Sequence, residues 1–208
     1  MAADTVRITY DAVAPVHRVD RRFLSFSIDI SVLAGGLWWE GSSDSHRGLG
    51  TLTVPPMRLD LVKLDRLVQA LGPAFLRVGG SEADRIHYFS APPDETDPLV
   101  LTRSQWDHLH AFIQRNDLRF MFTCKYGLFR RRHHGSWQGD EVTELLNYSL
   151  RKGYRIDVLE LGNELNAYWA FHGLTAQPGP RNLARDYDTF TALVRQYYPD
   201  ARICGPGS

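Results

Sequence analysis

The stretch "DVLELGNEL" at residues 157–165 starts as an apolar strand and closes on Asn163-Glu164. An amide beside a carboxylate at the end of a buried strand costs free energy unless both are satisfied or used. The pair is therefore either structural or chemical. Neighbouring residues on a strand point to opposite faces. Both can serve one site only if the strand bulges or stops there, and Gly162 permits either.

Working outward, strands alternate with amphipathic helices. "FLSFSIDI" (23–30), "AFLRVGG" (74–80), "LRFMFTCKYG" (118–127) and "ARICGPGS" (201–208) read as strands beside 157–164. Between them, Leu64, Leu67, Val68 and Leu71 repeat at helical spacing. So do Trp106, Leu109, Phe112 and Ile113, with Ser104 as the expected N-cap. Further helices are marked by Val142, Leu145, Leu146 and Ser149, and by Leu183, Tyr187, Phe190, Val194 and Tyr197. This alternation gives an α/β fold with a parallel sheet covered by helices. A doubly wound sheet and a (β/α)8 TIM barrel both fit the pattern. The unusual residues gather at strand C-termini: Asp29, Arg77 with Gly79-Gly80, Lys125-Tyr126 and Asn163-Glu164. No glycine-rich phosphate loop follows the first strand. In a barrel all those ends converge on one site, so the expectation is an incomplete barrel of about five strands. Residues 5–19 alternate loosely and read as one or two extra strands, and residues 31–57 as a long loop.

The chain has 208 residues, 43% of them hydrophobic and 23% charged, with 24 Lys plus Arg against 24 Asp plus Glu. That balance provides no global field for nucleic acid or a membrane surface. Two cysteines, Cys124 and Cys204, are too few for a disulfide framework and are expected as buried free thiols. No apolar run reaches the length of a membrane span, and no signal peptide is visible at the N-terminus.

A carboxylate and an amide at the end of a barrel strand suit glycoside hydrolysis. One carboxyl group protonates the leaving oxygen while a second attacks or activates water. The amide can hold the sugar 2-hydroxyl. The competing reading has Asn163-Glu164 capping the next helix. Arg77, buried mid-strand, needs an anionic partner, and Glu160 has the parity to supply it. That pair is either part of the site or a purely structural ion pair. Lys125 and Tyr126 are candidate substrate contacts. Arg130, Arg131 and Arg132 with His133 and His134 form a basic cluster, either a patch for anionic polymers or a solvated loop. Trp38 and Trp39 either stack on sugar or pin the long loop. The paired histidines lack a third ligand at metal spacing, so neither metal nor organic cofactor is expected.

"ELGNEL", "FLSFSIDIS", "LGPAFLRVGGSEADRIHYF" and "YYPDARICGP" together resemble glycoside hydrolase family 79, the heparanase family. The resemblance implies a retaining hydrolase of β-glucuronide linkages in uronic-acid glycans, heparan sulfate or similar. It implies Glu164 as the acid/base, Asn163 as the 2-hydroxyl partner and Asp29 as a sugar ligand. It also implies an N-terminal segment (1–22) that joins a β-sandwich, followed by the first part of the barrel (23–208). The family's nucleophile, the rest of the barrel and the sandwich are then expected beyond Ser208, so that activity needs the full-length protein. Ser81-Glu82 departs from the Thr-Lys of the animal enzymes and puts fine specificity in question. Family members are extracellular, lysosomal or membrane-associated. Two other readings are a barrel glycosidase of different sugar specificity and a non-catalytic, truncated glycosidase-like chain.

Overall fold

In order along the chain, the computed structural model contains β1 (Phe26–Asp29), α1 (Ile30–Ala34), β2 (Gly36–Trp38), β3 (Leu52–Val54), α2 (Val62–Leu71), β4 (Phe75–Gly79), β5 (His87–Tyr88), β6 (Val100–Leu101), α3 (Arg103–Arg115), β7 (Arg119–Cys124), α4 (Asp140–Arg151), β8 (Val158–Leu161), α5 (Tyr168–Phe171), α6 (Pro180–Tyr197) and β9 (Arg202–Cys204). It describes residues 7, 9, 17–38, 52–91, 93, 99–127, 136–171 and 176–207. Of the expected strands in 5–19, only 7, 9 and 17–19 are described, and these lie outside any strand. Trp39 and the basic residues Arg130, Arg131, Arg132, His133 and His134 fall outside the described residues; of Trp38 only the backbone is described.

Five strands make one parallel sheet in the order β1-β4-β7-β8-β9. Each new strand joins the same edge as its predecessor, without the reversal of a doubly wound sheet. This mixed α/β arrangement is compatible with part of a TIM barrel. β2 and β3 pair antiparallel within the stretch expected as a long loop, and β5 and β6 form a short parallel pair. Among the described residues, no helix is long and apolar enough to cross a membrane.

One face of the sheet is wholly apolar and packs into the core, while the other mixes polar residues with Phe75, Met121 and Val158. Leu76, Val78, Phe120, Phe122, Leu159 and Leu161 are fully buried in the hydrophobic core. Trp106 of α3 stacks edge-on against Phe122, and its indole N–H donates to Ser149 Oγ of α4 at 2.9 Å. The alternate residues, Arg77, Thr123 and Glu160, lie on the other face, as a period of two demands.

Several elements depart from the sequence reading. The N-cap of α3 is Thr102, whose hydroxyl accepts the Gln105 N–H while Gln105 reaches back to the Thr102 N–H. This reciprocal capping box satisfies two orphan donors, which Ser104 inside the first turn could not do. Leu67 and Leu71 of α2 are exposed, and only Val68 of that stripe is buried. Cys124 is buried but Cys204 is exposed on the edge strand β9, not buried as expected. Ile30 belongs to α1, because Asp29 caps that helix and ends the strand before it.

Candidate active site

β8 stops at Leu161, and its last ladder bond runs from Gly162 N–H to Cys124 C=O. Gly162 then takes φ +71°, which turns the chain out of the sheet at little steric cost. Asn163 and Glu164 follow on this turn, so the strand ends and does not bulge. Glu164 itself has φ +48°, a left-handed backbone held by a non-glycine residue. Such a conformation persists only where surrounding contacts over-determine it.

The Ala167 N–H bonds the Glu164 C=O, and side chains from three strands build a polar network around the turn. Arg77 Nε and Nη2 both donate to Glu160 Oε2, at 3.1 and 2.7 Å. Thr123 Oγ1 donates to the same oxygen at 2.6 Å. Arg77 Nη2 also donates to Asn163 Oδ1 at 3.0 Å. With its oxygen taken by the guanidinium, the Asn163 amide turns its NH2 toward Glu164 and donates to Oε2 at 3.3 Å. The Glu160 side chain is only 5% exposed, so its charge requires this compensation. Arg77 therefore pairs with Glu160 and orients Asn163 at once.

Beneath the turn lies Asp84, in the 3₁₀ turn Ser81–Asp84 after β4. Its Oδ1 accepts the Tyr126 N–H and its Oδ2 the Asn163 N–H, both at 3.0 Å. Burial pushes this carboxyl up to about 6, opposed by hydrogen bonds from Tyr168, Asn163 and Tyr126. Burial also raises Glu82; nearby Arg85 opposes the shift and Asp29 adds to it.

Asp29 stands at the end of β1 beside Gly79. Its Oδ1 accepts the Ser31 N–H at 2.9 Å and the Ser31 hydroxyl at 2.7 Å, capping α1. The other oxygen lies over Gly80, where a Cβ would overlap it. Lys125 directs its ammonium to Glu141 Oε1 at 3.0 Å and lies 3.2 Å from His87 Nδ1. Tyr126 is buried, and its hydroxyl donates to Asp186 Oδ2 of α6 at 2.8 Å. Among the described residues, no group of three or more His, Cys, Asp or Glu is arranged to hold a metal ion.

The structure thus brings Arg77, Asn163 and Glu164 into one network. It places Asp29 at a neighbouring strand end, and it commits the polar groups of Lys125 and Tyr126 to protein partners. Arg130 and Arg131 lie outside the described residues. Sequence reasoning missed Thr123 and Asp84. Thr123 was detectable from its parity with Arg77 and Glu160 once register was known. Asp84 is a single aspartate in a turn, with no periodicity to expose it.

The family model of the glycosyl hydrolase family 79 N-terminal domain matches residues 6–206. Heparanase-like protein 3 of Arabidopsis thaliana is 24% identical over 221 residues, covering 93% of this chain and 39% of that protein. Inactive heparanase-2 of Mus musculus is 33% identical over 110 residues, covering 52% of this chain and 18% of that protein. Baicalin-beta-D-glucuronidase of Scutellaria baicalensis is 26% identical over 165 residues, covering 64% and 31%. The chain therefore spans well under half the length of each of these relatives.

Proposed function

This chain belongs to glycosyl hydrolase family 79, and we propose that it forms the acid/base side of a (β/α)8 retaining hydrolase of β-glucuronide linkages. The observation that carries this reading is the Asn163-Glu164 pair, turned out at a strand end with its amide fixed by Arg77. In this proposal Glu164 protonates the departing glycosidic oxygen and later deprotonates the attacking water. The Asn163 NH2 holds the sugar 2-hydroxyl, a contact that strengthens as positive charge grows at the anomeric carbon. Asp29 accepts a sugar hydroxyl through its uncapped oxygen. A retaining displacement also needs a carboxylate nucleophile roughly 5–5.5 Å from the acid. The proposal assigns it to a part of the protein outside these 208 residues, in keeping with the greater length of the relatives. The substrate class is a glucuronic-acid glycan, heparan sulfate or similar. It rests on the names of the relatives and on the cationic sequence of residues 130–132.

The test is hydrolysis by the protein purified from its natural source and by its Glu164→Gln variant. On a glucuronide with an alkyl leaving group, loss of the acid is expected to lower kcat/KM by roughly 10²–10⁴. On nitrophenyl β-glucuronide the glycosylation step should suffer less, because nitrophenolate leaves without a proton. Equal activity of the two proteins on the alkyl glucuronide would remove Glu164 from the mechanism. A preference for nitrophenyl glucoside would remove the glucuronide assignment.

The similarity to an inactive heparanase supports a second reading, glycan binding without turnover. In that case neither protein hydrolyses either substrate, while both retain the glycan.

A further inference from the structure

Beyond Glu164 the chain forms a 3₁₀ turn (Leu165–Ala167) and then α5, and this segment has two distinct sides. Leu165 and Tyr168 are buried, three residues apart, and they anchor it inward. Tyr168 packs edge-on to Tyr126, at 6.0 Å between ring centroids. Asn166 and Trp169, again three apart, are exposed. Trp169 is 56% exposed, whereas Trp106 and Trp137 are buried. Among the described residues its ring makes no aromatic contact and its indole N–H no hydrogen bond.

Its backbone is fixed all the same. Gln177 Oε1 accepts the Trp169 N–H at 3.3 Å, and Gln177 Nε2 donates to the Asn166 C=O at 3.1 Å. The Ala167 N–H closes the turn onto the Glu164 C=O at 2.8 Å. Trp169 is thus a large apolar ring turned to solvent on a braced backbone. By helical rise it stands roughly 9 Å along the chain from Glu164. An indole of this size left 56% exposed forfeits a large part of its burial free energy in the absence of a ligand.

We propose that Trp169 is a stacking platform for a pyranose ring of the glycan, at a subsite adjacent to Glu164. This inference rests on the glycosidase reading above and adds to it a residue that neither the strand-end pattern nor the polar network contains. The apolar C–H face of a β-linked pyranose matches a flat, exposed indole. The ring would hold the sugar next to the cleaved bond while Asn163 and Glu164 act on the bond itself. Trp169 acts on binding, so its loss should raise KM and leave the protonation chemistry alone.

The test is titration of the protein with an unsulfated heparosan tetrasaccharide made hydrolysis-resistant by sulfur in place of its glycosidic oxygens, read by calorimetry and by tryptophan fluorescence, beside Trp169→Ala and Trp169→Phe. Trp169→Ala should weaken binding roughly three- to tenfold and abolish most of the fluorescence change. Trp169→Phe should retain most of the affinity while losing the fluorescence change, which also controls for folding. The effect of Trp169→Ala should persist at 0.5 M salt (roughly half the ionic strength at which the Debye length is 3 Å), since stacking is not screened as charge pairs are. Wild-type binding that Trp169→Ala leaves unchanged overturns the platform and leaves the glycosidase reading standing. No binding of the tetrasaccharide by the wild type overturns both.

Discussion

Asp84 and Asn163 are 79 positions apart in sequence, yet the carboxylate of one accepts the backbone N–H of the other at 3.0 Å. The same carboxylate accepts the Tyr126 N–H. One buried acid therefore sets the height of two neighbouring strand ends, and Glu164 inherits its position from the residue before it.

Asp84 should leave a signature in stability against pH. Its ordinary value is 3.8 and burial, opposed by its hydrogen bonds, brings it to about 6 in the native state. Between these values the native protein holds a proton that the unfolded chain has released, so this contribution favours folding as pH falls through the window. It is lost as pH rises through about 6. Urea unfolding from pH 7 to pH 4 should show the wild type gaining on Asp84→Asn by on the order of 3 kcal/mol. Parallel curves would show that Asp84 does not titrate in this way.

Removing one partner of the Arg77–Glu160 pair should be costlier than removing both. Arg77→Ala strands a carboxylate whose side chain is 5% exposed, and an expected loss of about 3 kcal/mol sits at the lower end for a buried pair because Arg77 is 28% exposed. The double variant Arg77→Met/Glu160→Leu should be less destabilised than either single alanine variant. Denaturant midpoints of the three proteins decide the matter, and single-variant losses below about 1 kcal/mol would show that the pair is solvated.

Gly79 leaves room for Thr123. A Cβ at position 79 would lie 2.9 Å from Thr123 Cβ and overlap Thr123 Oγ1. Gly79→Ala should cost about 1–3 kcal/mol through overpacking. Adding Thr123→Ala should remove the overlap with Oγ1, though not the close contact with Cβ, and strip a donor from Glu160, giving a loss smaller than the sum of the two single changes. Strict additivity in a double-mutant cycle would contradict this packing.

The two thiols should separate cleanly. Burial pushes the Cys124 thiol far above its ordinary range, whereas Cys204 is exposed. A disulfide reagent at pH 8 should label one thiol in the native protein and two in guanidinium. Two rapidly labelled thiols in the native state would place Cys124 outside the core.

Strand–helix alternation, the parallel sheet and the Arg77–Glu160 pairing were legible in the sequence because each follows from periodicity or parity. Glu160 carries the same parity as Glu164, and a buried arginine demands a carboxylate. What was not legible depends on single side chains meeting across distant segments. Thr102 and Ser104 are both plausible caps, and only the reach of Gln105 selects Thr102. Cys204 has an apolar neighbourhood in sequence, but its strand lies at the edge of the sheet. Asp84 carries no pattern at all until Tyr126 and Asn163 arrive beside it.

Asp186 offers a last consequence. One oxygen accepts the Tyr126 hydroxyl and the other the Trp137 N–H, while the Trp137 indole donates to the Lys125 C=O at 3.1 Å. The two stems of the intervening stretch are therefore fastened to each other and to α6 independently of what lies between them. The clasp ties the end of β7 to the approach to α4 and both to α6, so one carboxylate joins three elements around the strand end from which Tyr126 departs.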